Sequence, residues 1–227
     1  MGEVDDAMLA EAGMEAAGAP GAGKVLLIAC GALAREILAL KRINGWAHME
    51  LVCLPAKLHL TPDRIPDAVR GAVRRGRAQG YAEIFVVYAD CGTGGGLDRM
   101  CEEEGVARIA GPHCYSFFDG VEAFAARGDE EMRVFYLTDF LVKQFDAFVI
   151  RPMGLDRHPE LRDMLFGNYE ELVYLAQTDD PALDRAAEAA AKRLGLAYRR
   201  RFTGYGDLAP ALAGLKGARA GAQSALT

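Results

Sequence analysis

The 227-residue sequence has no excess of positive charge: 26 Lys and Arg residues stand against 32 Asp and Glu residues, which gives a net charge of −6. Nucleic-acid-binding proteins usually carry a basic surface, so this composition argues against a nucleic-acid partner. The sequence also lacks an apolar run near the roughly 18 residues that a membrane span requires. Its start carries Glu3, Asp5 and Asp6 where a secretory signal has a basic region. We therefore expect a cytoplasmic protein with no membrane association.

The sequence has no Cys-x-x-Cys pair, which disfavours the compact ferredoxin and zinc-ribbon patterns. Its five cysteines are an odd number at irregular spacing. The chain is also long enough to bury a sizeable core, so a disulfide framework is not expected. Reduced thiols in a cytoplasmic protein indicate packing, metal binding or catalysis.

Strand-like apolar runs alternate with helical segments from Lys24 onwards. This pattern predicts an α/β fold, Rossmann-like, with a doubly wound, mostly parallel sheet and helices on both faces. The strand order is expected to be 3-2-1-4-5 or 2-1-3-4-5. Residues 23–215 are predicted to form a single α/β domain. Residues 1–22 are expected to be a flexible or weakly helical extension, and 216–227 a flexible tail.

The segment Gly18–Lys24 matches the glycine and lysine spacing of a phosphate-binding loop. However, Val25 occupies the position of the metal-binding Ser or Thr, and a strand follows the loop instead of preceding it. The sequence therefore argues against nucleotide binding at this segment.

Three cysteines and a histidine follow successive apolar runs: Cys30, His59, Cys91 and Cys114. Because parallel strands place their carboxyl ends on one edge of a sheet, we expect these side chains to converge as metal ligands. Zn²⁺ suits this Cys/His set, and an iron–sulfur cluster is the alternative. His113 is a substitute fourth ligand. A metal-free reactive thiol is the competing interpretation.

Cys53 lies within its apolar run and Cys101 within a helical segment, so both are interpreted as buried packing residues. Gly92, Gly94 and Gly95 form a loop whose amide groups could hold an anionic cofactor group, although an ordinary strand-to-helix turn explains the same residues. Tyr88 and Asp90 are candidate acid–base groups or supports for the ligands. Further along, Thr138 and Asp139 are expected to cap a helix.

The chain resembles, from about Lys24 to Leu212, an uncharacterised bacterial and archaeal family of unknown function whose genes often lie near those of corrinoid-dependent methyltransferases. The segments that carry the resemblance are Ala29-Cys30-Gly31-Ala32-Leu33 with Glu36, Leu58-His59, Tyr88-Ala89-Asp90-Cys91-Gly92, Gly111-Pro112-His113-Cys114 and Leu137-Thr138-Asp139-Phe140. The resemblance implies methyl, one-carbon or sulfur transfer on a small-molecule substrate. The alternative that it implies is a non-enzymatic carrier of a metal or corrinoid for a partner methyltransferase.

Overall fold

The computed structural model of the protein describes residues 4–15 and 23–215. Most of the segment that resembles a phosphate-binding loop, the end of the N-terminal extension and the C-terminal tail lie outside these residues. The described chain divides into two compact units, residues 4–15 and 23–112 with 209–215, and residues 113–208. The prediction of a single domain over residues 23–215 stays a prediction. None of the helices in the described ranges is long and apolar enough to cross a membrane.

The first unit is built on a four-stranded parallel sheet in the order β2-β1-β3-β4. Its strands are β1 (Val25–Cys30), β2 (Met49–Leu54), β3 (Glu83–Val87) and the short β4 (Ala107–Arg108). Every residue of β1 is buried, as expected for a central strand covered on both faces. The crossover helices are α2 (Ala34–Asn44), α3 (Ile65–Ala78) and α4 (Gly96–Glu104).

The N-terminal segment packs on the first unit over residues 4–15, and the prediction of a flexible or weakly helical extension over residues 1–22 stays a prediction. The segment contains α1 (Asp6–Glu11), which Asp5 caps through a hydrogen bond from the Ala7 amide. Leu9 is fully buried, and Met14 forms an antiparallel bridge with Cys53 of β2. We define residues 4–15 as the N-terminal strap.

The second unit contains a three-stranded parallel sheet in the order β5-β6-β7. Its strands are β5 (Val134–Thr138), β6 (Glu171–Ala176) and β7 (Ala197–Phe202). The helices that accompany them are α5 (Ser116–Asp119), α6 (Val121–Ala126), α7 (Asp139–Lys143), α8 (Arg162–Phe166) and α9 (Pro181–Leu194). The last described helix, α10 (Leu208–Ala213), begins at the end of this unit and otherwise belongs to the first unit. The predicted α/β fold with parallel strands is confirmed, and the strands are divided between two sheets.

Two helices of the second unit differ from the sequence expectation. The apolar pattern of the sequence predicts one helix over Ser116 to Ala126, but the structure breaks it at Gly120, whose φ of 87° is not helical. The pattern also predicts a helix from Thr138 through Phe148, whereas α7 stops at Lys143 and a π-helical turn over Asp146–Ile150 continues it. Both breaks are local backbone effects that apolar periodicity does not reveal.

Candidate functional site

Cys91 lies in the turn between β3 and α4, at the carboxyl edge of the first sheet. Its φ is 50°, and it is the only non-glycine residue of the described chain with a positive φ. This left-handed conformation costs an L-residue roughly 1–2 kcal/mol, so the surrounding structure must hold it in place. The Cys91 amide donates to the Pro112 carbonyl at 2.9 Å, and the Asp90 amide donates to the Gly111 carbonyl at 2.9 Å.

The glycine loop that follows Cys91 is folded around the Asp90 carboxylate. Its oxygens accept hydrogen bonds from the Thr93 hydroxyl at 2.6 Å, the Gly95 amide at 2.9 Å and the Gly94 amide at 3.2 Å. Desolvation raises the pKa of Asp90, but these bonds and one from the Gly92 amide outweigh it and hold the pKa below its usual value. The sequence predicted that the amides of Gly92, Gly94 and Gly95 could bind an anionic cofactor group. In the structure these amides bind the carboxylate of Asp90.

His59 reaches Cys91 from the 3₁₀ turn Ala56–Leu60, which follows β2. The two side chains are hydrogen-bonded, and this bond raises the pKa of His59 above its ordinary value. Desolvation opposes the shift, while the charge of Cys91 adds to it. His59 is exposed to solvent, whereas Cys91 is buried. The pair therefore joins a buried thiol to an imidazole that can exchange protons with water.

Cys30 ends β1, next to β3, and faces the same edge of the sheet. Burial is the main cause that raises its pKa to about 12, and the nearby Cys91 contributes to the increase. The Ala32 amide donates a hydrogen bond to the Cys30 sulfur and, together with the nearby Tyr88 hydroxyl, opposes the shift. Tyr88, predicted as an acid–base candidate, thus lies next to a thiol.

Cys53 and Glu36 belong to the same cluster, although sequence reasoning gave neither a role in the site. Cys53 is buried, and burial raises the pKa of its thiol, with smaller contributions from the charges of Cys30 and Glu36. Glu36 lies in the first turn of α2 and is also buried. The available signal was its position six residues after Cys30 in a mostly apolar stretch, since an acidic residue is seldom buried unless it is paired.

The N-terminal strap covers the edge of the sheet where these thiols lie. A side chain at Gly31, directly after Cys30, would meet the Leu9 carbonyl at 2.4 Å. Met14 and Cys53 exchange backbone hydrogen bonds of 2.8 and 2.7 Å. The strap is anchored by the Arg35 guanidinium, which bonds the Asp6 carboxylate at 2.6 Å.

The other two predicted ligands, His113 and Cys114, are the first two residues of the second unit. Cys114 is half-buried, and the ring of His113 stacks on Tyr115 with centroids 4.9 Å apart. Cys101 packs in α4, where burial raises its pKa to about 11. Within the described ranges, no three His, Cys, Asp or Glu side chains form a group that could hold a metal ion. The metal-ligand set of Cys30, His59, Cys91 and Cys114 stays a prediction.

The second unit has a polar centre of its own at the carboxyl ends of β5 and β6. The buried Asp139 carboxylate accepts hydrogen bonds from the Tyr174 hydroxyl at 2.7 Å and from the backbone amide of Gln177 at 2.9 Å. The Thr178 hydroxyl and amide also donate to it, at 2.5 and 3.1 Å. Thr138 caps α7 as expected, whereas Asp139 joins two strand ends. This role was not apparent from the sequence because its four donors lie 35 or more residues away.

These features define an α/β protein with a cluster of thiols, an imidazole and a phenol at the carboxyl edge of a parallel sheet. The chain belongs to a family described as "Protein of unknown function (DUF1638)", whose model matches residues 53–212. The match includes Cys53, His59, Cys91 and Cys114, and it begins after Cys30. No curated protein and no solved structure gave a significant match to the chain.

Proposed function

We propose that the first unit carries a thiol-dependent group-transfer site in which Cys91 is the nucleophile and His59 its proton acceptor. The observation that carries this proposal is the conformation of Cys91, which is held with positive φ in a strand-to-helix turn while its side chain is hydrogen-bonded to an imidazole. Strained turns of this kind present nucleophiles in other α/β enzymes. A neighbouring base is the usual means of activating a thiol.

The proposed chemistry begins with transfer of the thiol proton from Cys91 to His59, which produces a thiolate and an imidazolium. The thiolate then attacks a methyl, one-carbon or sulfur group on a donor, so that a bond to the Cys91 sulfur forms and the bond to the leaving group breaks. Asp90 positions the turn, and Tyr88 lies beside the second thiol, Cys30. The proposed donor of the group is a corrinoid methyltransferase or a small molecule. The five free cysteines support action in the cytoplasm, where thiols are kept reduced.

Alkylation of each cysteine by iodoacetamide at pH 7.5, followed by peptide mass spectrometry, tests this proposal. We expect Cys91 to react about tenfold or more faster than Cys30, Cys53 and Cys101, because burial raises the pKa of those three thiols. His59→Gln should slow Cys91 by about tenfold. His158→Gln, at an exposed histidine bonded to Glu160, is the matched control and should change nothing. Equal rates at all four cysteines would contradict the proposal.

A second candidate function is the binding of a soft metal ion by the same cluster. The observation that favours it is that the Cys30 and Cys91 thiols are close enough for their charges to interact, and that Cys91 is bonded to the His59 imidazole. Two thiolates and an imidazole suit Zn²⁺, and an iron–sulfur cluster is the alternative. Because the described side chains form no three-ligand group as they stand, Cys30, Cys91 and His59 would have to turn towards a common point to bind the ion. The protein would then serve as a metal-dependent enzyme of methyl or sulfur transfer, or as a carrier of a metal or corrinoid for a partner methyltransferase.

Elemental analysis of protein purified without oxygen separates the two candidates. Metal binding predicts about one zinc, or a stoichiometric set of irons, per chain, with a large loss in Cys91→Ser because a hydroxyl replaces a soft thiolate poorly. Cys101→Ser, within α4, is the matched control and should retain the metal. If the unaltered protein, expressed with added zinc and iron, contains neither metal, the second candidate is excluded.

A further inference from the structure

The order of the strands in the first unit indicates where a substrate can bind. From β1 the chain passes to β2 on one side of the sheet, whereas β3 lies on the other side of β1 and leads on to β4. In parallel α/β sheets, ligands bind in the crevice outside the carboxyl ends of the two strands between which this change of direction occurs. Those strands are β1 and β3, and the turn after β3 carries the proposed nucleophile, Cys91. The donor molecule is therefore expected at this turn.

A second segment of the chain runs along the glycine loop that follows the nucleophile. We define residues 59–66 as the facing segment, which begins with the histidine of the proposed acid–base pair. A β-carbon placed on Gly92 would lie 3.6 Å from the ring of Pro62, and one placed on Gly96 would lie 3.4 Å from that of Pro66. The thiol and the imidazole thus lie at one end of this contact, and the start of α4 lies at the other.

Arg99, in the first turn of α4, folds its guanidinium back over the glycine loop. A β-carbon placed on Gly95 would lie 3.6 Å from Nη1, and one placed on Gly96 would lie 3.8 Å from Nη2. Gly95 follows Cys91 by four residues, and four residues span at most roughly 14 Å even when the chain is fully extended. The guanidinium is therefore within reach of a small molecule whose reactive group lies at the Cys91 sulfur.

The side chain of Arg99 is exposed and forms no ion pair or hydrogen bond within the part of the chain that the structure describes. Its favourable partner four residues along the helix would be Glu103. However, Glu103 pairs with Arg70 of α3 at 2.7 Å, and the preceding Asp98 pairs with Arg108 at 2.6 Å. The guanidinium of Arg99 therefore keeps its hydrogen-bond donors for a ligand.

Other polar groups beside the guanidinium are engaged elsewhere or make no bond to it. The amides of Gly94 and Gly95 bind the Asp90 carboxylate. Asp63, in the facing segment, is exposed and forms no ion pair with Arg99. A guanidinium presents a planar fork of donors that matches a carboxylate through two parallel hydrogen bonds. The chemistry at this end of the loop is thus that of a carboxylate receptor.

We propose that the donor used by Cys91 is a small organic anion whose carboxylate is bound by Arg99. A bond from the transferred group to the Cys91 sulfur forms as the bond to the leaving group breaks, and the leaving group departs with the electron pair. This substrate class rests on the thiol chemistry proposed above. The two can be tested separately, because a neutral alkylating reagent reports on the thiol alone, whereas an anionic reagent also reports on Arg99.

The rates at which iodoacetate and iodoacetamide alkylate Cys91 in the full-length protein, measured by peptide mass spectrometry, test the assignment. The two reagents are similar in size and differ in charge. We expect Arg99→Gln to slow iodoacetate about tenfold and to leave iodoacetamide unchanged, because a charge-assisted hydrogen bond contributes about that factor. Arg99→Lys keeps the charge without the fork, so its loss with iodoacetate should be smaller. Any attraction of iodoacetate to the His59 imidazolium is the same in all of these proteins.

Arg75→Gln is the matched control and should change neither rate. Arg75 is also exposed and unpaired among the described residues, and a β-carbon placed on Gly71 would lie 3.4 Å from its Nη1. It lies about 13 Å along α3 from the end that contacts the glycine loop. An equal loss with both reagents in Arg99→Gln would assign Arg99 a structural role and overturn the proposal, as would two unchanged rates. If iodoacetamide alkylates Cys91 in the unaltered protein no faster than the other buried cysteines, the thiol function itself is overturned, and the anionic donor with it.

Discussion

The carboxyl edges of the two sheets carry polar side chains in different states of hydrogen bonding. In the second unit, Asp139 accepts four hydrogen bonds from its neighbours, and its role is to join strand ends. In the first unit, Asp90 is held in a similar way by its own loop. The residue after it, Cys91, is held in a strained conformation beside a solvent-exposed imidazole. At both edges a carboxylate holds the backbone in place, and among the described residues the first edge also sets a thiol beside an imidazole.

The two edges also differ in what protects them. The polar groups around Asp139 are protected by their own hydrogen bonds and by burial. The thiols of the first edge are covered by the N-terminal strap, which contacts the turn after Cys30 and the backbone of Cys53. Stability and chemistry should therefore respond differently to substitutions at the two edges.

The largest expected effect is that of Asp139→Ala. This substitution leaves four buried or half-buried donors without their acceptor, so we expect the free energy of unfolding to fall by about 3 kcal/mol or more. Urea denaturation measures the loss. The control is Asp180→Ala, which removes the exposed N-cap of α9 and should cost about 1 kcal/mol. Equal losses in the two variants would show that Asp139 is an ordinary cap, as its sequence position first indicated.

The sequence was sufficient to predict the parallel α/β fold because buried parallel strands are nearly continuous apolar runs, as in Val25–Cys30. It also placed Cys30, Cys91 and His59 at strand ends. The division into two sheets and the π-helical turn depend on packing and local backbone geometry. The roles of Asp139 and Cys53 depend on partners distant in sequence. The packing of the strap depends on the burial of Leu9 and Ala10, two neighbouring apolar residues in a segment without sustained periodicity.

The next largest effect concerns the strap. Gly13 has a φ of 78°, and a side chain there would meet the Cys53 carbonyl at 2.1 Å. We expect Gly13→Ala to release the strap, lower the free energy of unfolding by about 2 kcal/mol and increase alkylation of Cys53. Gly45→Ala has the same strained φ region but open space around it, so it should cost about 1 kcal/mol and leave Cys53 protected. Unchanged Cys53 reactivity in Gly13→Ala would mean that the strap does not control access.

A smaller effect isolates the backbone strain at Cys91. Because φ is positive there, Cys91→Gly should be more stable than Cys91→Ala by about 1 kcal/mol. At Cys101, inside α4, the order should reverse, since glycine in a helix is less stable than alanine by about 1 kcal/mol. Chemical denaturation of the four variants gives both differences. The same order at both positions would contradict the left-handed conformation of Cys91.

The smallest expected effect is the pH dependence of the Cys91–His59 pair. The hydrogen bond to Cys91 raises the pKa of His59 in the folded protein above the value of about 6.5 that it has when unfolded. Its protonation therefore stabilises the fold fully below pH 6.5, and this contribution is lost as the pH rises through the raised pKa. NMR titration of the His59 ring should show the pKa falling towards 6.5 in Cys91→Ala and unchanged in Cys101→Ala. A titration that is identical in all three proteins would mean that His59 does not sense Cys91, and the proposed nucleophile would then lack its proton acceptor.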